Sequence, residues 1–318
     1  MDERTFDRSG QHASVVGLGT WQLGADWGDV DDKEALSVLE AAAEAGVTFF
    51  DTADVYGHGK SETLLGAELR DVRDRVVLAT KVGGNFYNRD VHPLLVERIA
   101  QMADKPFDQI PPDATLPVTH DSNFSPRYVR FAVEQSLNRL GTDYIDLLQL
   151  HNPALSLISS MDTYAVLEEL KKEGKIRWYG VSVHPPEEGL AAVSATMPDT
   201  VQIVYNVARR EAEDEFFPAA RAAGIGVIVR EPLANGFLAG KYASDSAWEK
   251  GDIRARMPRP YVKQMAALGQ RVRELAAKAG TSPVQLALRF VLDQSAVSVA
   301  IVGMKTVQQV DENLGWEA

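Results

Sequence analysis

The stretch VTFFDTADVYG, residues 47–57, opens with a short apolar run typical of a buried β-strand. It places Asp51 where that strand ends and Tyr56 in the following loop. The run VVLATKV, residues 76–82, has the same strand character and carries Lys81 near its own end. A carboxylate, a phenol and an ammonium group at strand ends indicate a proton donor whose acidity is adjusted by its neighbours. We therefore interpret the rest of the chain as the scaffold that supports this group.

Short apolar runs alternate with amphipathic helical patterns along the whole chain. Six further runs are rich in β-branched and apolar residues, as expected for parallel strands covered on both faces; they are residues 15–21, 144–151, 176–183, 201–206, 225–231 and 299–304. Helical patterns between the runs cover residues 31–45, 61–69, 126–140, 164–174, 186–193, 213–223, 261–279, 283–292 and 306–314. Eight strand–helix cycles predict an α/β fold, a (β/α)8 TIM barrel, with residues 1–14 as a short N-terminal hairpin.

A doubly wound parallel sheet is the alternative architecture. It is disfavoured because the early GLGTWQLG lacks the G-x-G-x-x-G spacing, and no strand ending in Asp lies at the expected offset. The predicted barrel has enlarged loops after its third strand, residues 83–125, and after its seventh strand, residues 233–259. Loops of that length usually act as lids or binding loops. Without an internal repeat or a linker, we expect residues 1–318 to form a single domain.

Composition narrows the classes of function. The chain has 33 Lys and Arg against 45 Asp and Glu, a net charge of −12, which argues against nucleic acid or an anionic membrane as a partner. The absence of cysteine excludes disulfides, thiol nucleophiles and Cys-ligated zinc, and no metal site is implied. The polar N-terminus lacks a signal-peptide pattern, and no apolar run is long enough for a bilayer. We expect a cytoplasmic protein.

Polar side chains recur at the predicted carboxyl ends of the barrel strands, where the active sites of such barrels lie; they are Asp51, Lys81, His151, Ser182, Gln202 and Arg230. A lysine ammonium beside Tyr56 would stabilise the phenolate, Asp51 would hold the lysine, and His151 would orient a carbonyl oxygen. This set suits protonation of an oxyanion as hydride reaches carbon, and it lacks a nucleophile with an adjacent base. The other interpretation is a structural Asp–Lys ion pair with an ordinary tyrosine and histidine nearby.

The ordered segments FFDTADVYG, LATKVG, DLLQLHNP, GVSV, VQIVYN and VGMKTVQQVDEN resemble the aldo-keto reductase superfamily over nearly the whole chain. The resemblance implies a catalytic tetrad of Asp51, Tyr56, Lys81 and His151, with Tyr56 as general acid in reduction and general base in oxidation. It implies an NADP(H)-dependent oxidoreductase that reduces an aldehyde or ketone to an alcohol, or acts in reverse as an alcohol dehydrogenase.

The resemblance also implies a nicotinamide cofactor, NADP(H) rather than NAD(H), bound in extended form without a Rossmann domain. Ser182 and Gln202 would hold the carboxamide, and Arg230 would lie against the nicotinamide. The loop from Pro232 would wrap the pyrophosphate, and Lys305, near the 2′-phosphate, is the reason to prefer NADP. The implied cofactor contacts are Thr20, Trp21, Asp51, Ser182, Gln202, Arg230, Pro232, Leu233, Gly236, Lys241, Gly303, Lys305, Gln309, Glu312 and Asn313.

The substrate, a small carbonyl compound or alcohol, is expected to meet a wall made by Trp21, Trp27, Tyr56, Phe86 and His151. The chain departs from the family pattern in three places. Val183 follows Ser182 where the family frequently has Asn, and the loop after the third strand is enlarged. The segment after the last helix is short. We hypothesise that residues 83–125 form the substrate-facing wall.

The rival function is a nucleotide-binding regulatory subunit with little turnover, similar to potassium-channel β-subunits. A third interpretation is an unrelated phosphate-binding barrel, and the oligomeric state stays open.

Overall fold

The computed structural model describes residues 1–6, 10–24, 27, 30–85, 122–249 and 251–315. Its strands are β1 Glu3–Thr5, β2 His12–Ser14, β3 Val16–Gly19, β4 Phe49–Asp51, β5 Val77–Val82, β6 Ile145–His151, β7 Ile176–Ser182, β8 Thr200–Val204, β9 Gly226–Arg230 and β10 Val297–Gly303. Its helices are α1 Trp21–Gly24, α2 Asp32–Glu44, α3 Lys60–Glu68, α4 Pro126–Leu140, α5 Leu155–Ile158, α6 Met161–Lys172, α7 Pro186–Ala195, α8 Phe216–Ala223, α9 Arg259–Ala279, α10 Pro283–Leu292 and α11 Val307–Leu314. Short 3₁₀ turns cover Arg70–Arg75, Glu211–Glu213, Phe237–Ala239 and Ile253–Arg256.

Eight strands close into a parallel barrel in the order β10-β3-β4-β5-β6-β7-β8-β9, and β1 pairs with β2 in a separate antiparallel hairpin. The (β/α)8 barrel with its N-terminal hairpin is therefore confirmed. Because all eight strands run in the same direction, their carboxyl ends meet at one mouth. The register places Lys81 beside Gln149, and it aligns His151, Ser182 and Gln202 on three consecutive strands.

Local sequence signals explain the helix ends. At the start of α10 the Ser282 hydroxyl accepts from the Gln285 amide at 3.1 Å, and the Gln285 side chain accepts from the Ser282 amide, which together form a capping box. Helix α8 differs from the predicted span of 213–223, because residues 211–213 form a 3₁₀ turn and the helix begins at Phe216. Helix α4 ends at Leu140 and is followed by Gly141, whose φ of 62° is left-handed and suits glycine.

The two enlarged loops differ in how they leave the barrel. After β5, the described ends of the predicted loop meet each other, since Gly84 and Ser122 form an antiparallel bridge and Asn123 donates to the Gly83 carbonyl at 2.8 Å. Residues 86–121 lie outside the described residues. After β9, the chain forms two short 3₁₀ turns before α9 begins at Arg259.

The floor of the barrel is closed by Phe6, which follows β1 and is fully buried. Its ring meets Phe49 edge-on at 5.8 Å between centroids and Trp178 at 5.4 Å. Phe6 belongs to the apolar cluster inside the barrel, whose members come from alternate positions of the strands; it includes Ala13, Phe49, Val77, Ala79, Leu147, Ile228, Val299 and Ile301. The hairpin therefore supplies the last layer of the core, opposite the mouth.

We expect Phe6→Ala to lower the free energy of unfolding by about 3–5 kcal/mol, because it leaves a cavity under the innermost core layer. Urea unfolding followed by tryptophan fluorescence measures this change. Leu275→Ala is the control, since Leu275 is 57% exposed and its truncation should cost less than about 0.5 kcal/mol. Equal losses for both variants would show that the hairpin is not part of the cooperative core.

Candidate active site

Lys81 is the centre of the group at the barrel mouth. It lies in β5, is fully buried, and donates from Nζ to Asp51 Oδ1 at 2.5 Å, to the Thr52 carbonyl at 2.8 Å and to the Tyr56 hydroxyl at 3.2 Å. Burial acts to lower the pKa of Lys81, but the charge and hydrogen bonds of Asp51 and Tyr56 outweigh it and raise the pKa above its ordinary value. Lys81 is therefore an ammonium ion held against a phenol.

The other carboxylate oxygen of Asp51 has its own donors. Asp51 Oδ2 accepts from Gln202 Nε2 at 2.8 Å and from Gln149 Nε2 at 3.1 Å. Gln202 Nε2 also lies 3.2 Å from Gln149 Oε1. The three side chains are buried, so the hydrogen bonds that the Asp51 carboxylate needs come from these donors within the protein.

The Asp51–Thr52 backbone is fixed from below by hydroxyl groups. Thr52 Oγ1 donates to Ser61 Oγ at 2.9 Å, and Ser61 Oγ donates to Thr20 Oγ1 at 2.6 Å. Thr20 Oγ1 in turn donates to the Asp51 carbonyl at 3.0 Å. Thr20, a predicted cofactor contact, thus supports the backbone that carries the Thr52 carbonyl and the Asp51 carboxylate.

Three predicted cofactor residues continue the network along the mouth. Ser182 Oγ donates to Gln202 Oε1 at 3.2 Å, and Arg230 Nη1 donates to Ser182 Oγ at 3.1 Å. Arg230 Nη1 also donates to Asn152 Oδ1 at 3.2 Å, and its Nη2 lies 3.7 Å from the Glu231 carboxylate. A continuous chain of hydrogen bonds therefore runs from Arg230 to Tyr56.

His151 and Tyr56 face each other at the entrance. Their rings meet edge-on with centroids 5.9 Å apart, and Trp21 stacks near Tyr56 at 6.0 Å with 20° between the planes. Trp27 meets Trp21 edge-on at 5.4 Å, so four of the five predicted substrate-wall residues form one aromatic group. The fifth, Phe86, lies outside the described residues. Burial, together with Lys81, Arg230 and His184, lowers the pKa of His151 well below its ordinary value, which leaves a neutral imidazole.

The predicted pyrophosphate loop follows β9. It contains Pro232, Leu233, Gly236 and Lys241, whose Nζ lies 5.6 Å from the Tyr242 ring centroid. Left-handed backbone recurs along it, at Glu231, Ala234, Asn235, Gly236 and Gly240. These positions form a series of tight turns, in which the Ala234 amide donates to the Glu231 carbonyl at 2.9 Å and the Gly236 amide donates to the Leu233 carbonyl at 2.9 Å. The pyrophosphate contact stays a prediction.

The segment after β10 carries the remaining predicted cofactor contacts. Lys305 donates from Nζ to the Trp27 carbonyl, and its amide donates to Gln309 Oε1 at 2.8 Å. Burial lowers the pKa of Lys305, and Arg254 adds to this effect while Asp252 opposes it. In helix α11 Glu312 is exposed and Asn313 is buried. These residues lie together, and Lys305 joins them to the aromatic wall through Trp27.

Gly303, the last predicted contact, ends β10. The Gln22 side chain occupies the space beside it, where a Cβ would come within 1.9 Å of Gln22 Nε2. A larger residue at this position would displace the Gln22 amide.

Sequence reasoning missed four polar residues of the site, namely Thr52, Ser61, Gln149 and Asn152. For Gln149 a signal was present. It lies two residues before His151 in β6, and residues two apart in a strand point to the same face. The inward position of His151 therefore also implied an inward Gln149.

Asp54 is a further buried carboxyl that sequence reasoning did not single out. It lies in the loop between Asp51 and Tyr56 and is fully buried, and its amide donates to the Lys81 carbonyl at 3.1 Å. Burial, followed by the nearby Glu62 carboxylate, raises the pKa of Asp54 well above its ordinary value. Glu62 itself is paired with the buried Arg139 at 2.7 Å.

We expect Asp54→Asn to stabilise the protein, and increasingly so as the pH rises above 4. The folded pKa of Asp54 is raised, so between its unfolded and folded values the folded state binds more protons and stability falls with pH. The amide variant does not titrate and avoids that loss. Thermal unfolding from pH 4 to pH 8 measures the difference, with exposed Asp71→Asn as the matched control. A variant whose advantage shrinks as the pH rises would contradict the assignment.

The fold and the geometry define a barrel with an acid–base group at its mouth. Within the described part of the chain, no three His, Asp or Glu side chains are placed to hold a metal ion. In that same part, none of the helices combines the length and the apolar character that crossing a bilayer requires.

Comparison with known proteins identifies the class. The model of the Aldo/keto reductase family matches residues 15–317. The chain is 33% identical to aldo-keto reductase YhdN of Bacillus subtilis, over 99% of this chain and 89% of that protein. Among solved structures, it is similar to aldo-keto reductase AKR11C1 from Bacillus halodurans, in its holo form, with a TM-score of 0.74 and 26% identity over 99% and 90% of the two chains. It is also similar to the glycerol dehydrogenase AKR11B4 from Gluconobacter oxydans, with a TM-score of 0.74 and 29% identity over 97% of this chain and 88% of that chain.

The chain therefore belongs to the aldo/keto reductase family, and the family resemblance inferred from its motifs is confirmed. Family membership makes it an oxidoreductase with a TIM barrel fold that uses a nicotinamide cofactor. The roles of individual residues stay predictions, which the contacts above support.

Proposed function

We propose that the protein is an NADP(H)-dependent reductase of aldehydes or ketones, which can also run in reverse as an alcohol dehydrogenase, with Tyr56 as general acid and base. The observation that carries this proposal is the position of Lys81 Nζ, which contacts both the Asp51 carboxylate and the Tyr56 hydroxyl. A structural ion pair would need only the first of these contacts.

The three charged or polar neighbours of Tyr56 have separate tasks. Lys81 remains an ammonium, because Asp51 holds its pKa above the ordinary value, and it stabilises the phenolate that forms when Tyr56 gives up its proton. Neutral His151 can donate one N–H to a carbonyl oxygen and orient it towards Tyr56. Trp21 and Trp27 present apolar surface that limits access of water. The nicotinamide cofactor, when bound, supplies or accepts the hydride.

The residues proposed to hold the cofactor have the chemistry that it needs. Ser182 and Gln202 offer a hydroxyl and an amide at the mouth, and the loop after β9 brings the Lys241 ammonium that a pyrophosphate would need. Lys305 stands just before α11, so a phosphate there would meet both a cation and a helix N-terminus. A dianion beside Lys305 would favour the ammonium that burial disfavours. This arrangement supports NADP over NAD.

Titration with NADPH and NADH, followed by initial rates on a panel of carbonyl compounds, tests the proposal. We expect tighter binding of NADPH, and Lys305→Met should weaken NADPH binding about tenfold or more while leaving NADH binding unchanged. Tight nucleotide binding without turnover of any compound would favour the regulatory-subunit function instead. Binding of neither nucleotide would overturn the assignment.

A further inference from the structure

Gln149 is the buried residue whose role the proposed mechanism leaves open. It lies near the end of β6 and has no exposed surface, so it cannot touch a substrate in the mouth. Both ends of its amide are occupied, since Nε2 donates to Asp51 Oδ2 at 3.1 Å and Oε1 lies 3.2 Å from Gln202 Nε2. A buried amide satisfied in this way has a single preferred orientation.

The two oxygens of Asp51 are used differently. Oδ1 accepts from Lys81, whereas Oδ2 accepts from the two glutamine amides. A carboxylate turns about its last bond unless both oxygens are fixed. Donors on Oδ2 therefore determine where Oδ1 points, and with it the position of Lys81 relative to Tyr56.

Gln202 also takes part in the proposed cofactor site. Its Oε1 accepts from Ser182, which is bonded to Arg230, and these residues form the proposed carboxamide and nicotinamide site. If Gln202 turns its amide towards a bound cofactor, Gln149 is the donor that still holds Asp51 Oδ2. Gln149 is fully buried, and within the described part of the chain its Nε2 donates to Asp51 Oδ2.

We propose that Gln149 is a positioning residue, which fixes the Asp51 carboxylate so that Lys81 stays directed at the Tyr56 hydroxyl when Gln202 engages the cofactor. The inference rests on the proposed function for its kinetic consequence, while its structural consequence concerns Tyr56 and Lys81 alone. The simpler interpretation is core packing, for which an apolar side chain of the same length would serve as well.

Gln149→Met tests the proposal because methionine keeps the length and volume of the side chain and removes both polar groups. Gln135→Met is the matched control, since Gln135 is equally buried but lies in α4 away from the site, and its Nε2 has no hydrogen-bond partner among the described residues. Two measurements are made on both full-length variants. The first is kcat and KM for carbonyl reduction, and the second is the ultraviolet titration of Tyr56 without nucleotide, isolated by subtracting the matching Tyr56→Phe protein.

For Gln149→Met we expect kcat to fall about tenfold to a hundredfold with KM for the carbonyl compound little changed. Tyr56 should ionise at a higher pH than in the wild type, because a less well-placed Lys81 stabilises the phenolate less. The pH at which kcat changes because Tyr56 ionises should also move to a higher value. Gln135→Met should show none of these changes.

An unchanged Tyr56 titration and an unchanged kcat in Gln149→Met would overturn the proposal and leave a packing role. A smaller amount of active protein, with the pH dependence of kcat unchanged, would also overturn the proposal. If the wild type itself reduces no carbonyl compound, the proposed function fails, and the Tyr56 titration still decides whether Gln149 positions Lys81.

Discussion

Tyr56→Phe is expected to lower kcat for carbonyl reduction by about 10²–10⁴-fold, with little change in nucleotide binding or stability. The substitution removes only the hydroxyl that lies 3.2 Å from Lys81 Nζ, and with it the proton that the alkoxide must receive. Phenylalanine keeps the ring that packs beside Trp21 and His151. Single-turnover rates with bound NADPH measure the chemical step without interference from product release.

The control for this prediction is Tyr144→Phe, a change of the same kind at the amino end of β6, the strand whose carboxyl end carries His151. Tyr144 lies just before β6, and the guanidinium groups of Arg73 and Arg177 are each 4.0 Å from its ring centroid. Phenylalanine retains the aromatic ring that both guanidinium groups contact. Its rate should equal that of the wild type. A Tyr56→Phe protein with more than a tenth of the wild-type rate would show that another group gives the proton.

Lys81→Met is expected to abolish measurable turnover and to lower the free energy of unfolding by about 3–5 kcal/mol. The ion pair with Asp51 is completely buried, so removing the ammonium leaves a carboxylate in the barrel without its counter-charge. Methionine fills the same space and makes packing a minor cause. Chemical denaturation at pH 7 measures the loss.

Two comparisons make the Lys81 prediction specific. Lys171→Met removes a half-exposed lysine from its pair with Asp199 at 3.4 Å and should cost about 0–1 kcal/mol. The double variant Asp51→Asn with Lys81→Met removes both charges and should recover part of the stability while remaining inactive. A double variant less stable than Lys81→Met would mean that the unpaired charge is not the cause.

The sequence was sufficient to predict which residues meet at the mouth, since strand ends in a parallel barrel share one edge. Asp51, Lys81 and His151 are therefore adjacent in the structure although up to a hundred positions separate them. The motifs around these residues also indicated the family, and the match of the family model to residues 15–317 confirms it.

Contacts between distant side chains were beyond sequence reasoning. The donors on Asp51 Oδ2 come from β6 and β8, and whether a glutamine faces a carboxylate or a ligand depends on rotamers that no pattern encodes. Asp54 was missed for a similar reason. A polar loop residue is exposed by default, whereas Asp54 is buried with its carboxylate close to Gly84, a residue that lies thirty positions further along the chain.

Asp51 joins four strands of the barrel, because its own strand β4 is linked through its carboxylate to Lys81 of β5, Gln149 of β6 and Gln202 of β8. For protein engineering, this means that the reacting charges and the architecture cannot be varied independently. Libraries that randomise Asp51 and Lys81 would lose most members to unfolding before any selection for activity. Trp21 and Trp27 line the mouth beside Tyr56, and the donors described on the Asp51 carboxylate are Lys81, Gln149 and Gln202, so we expect new substrate ranges to evolve at the two tryptophans.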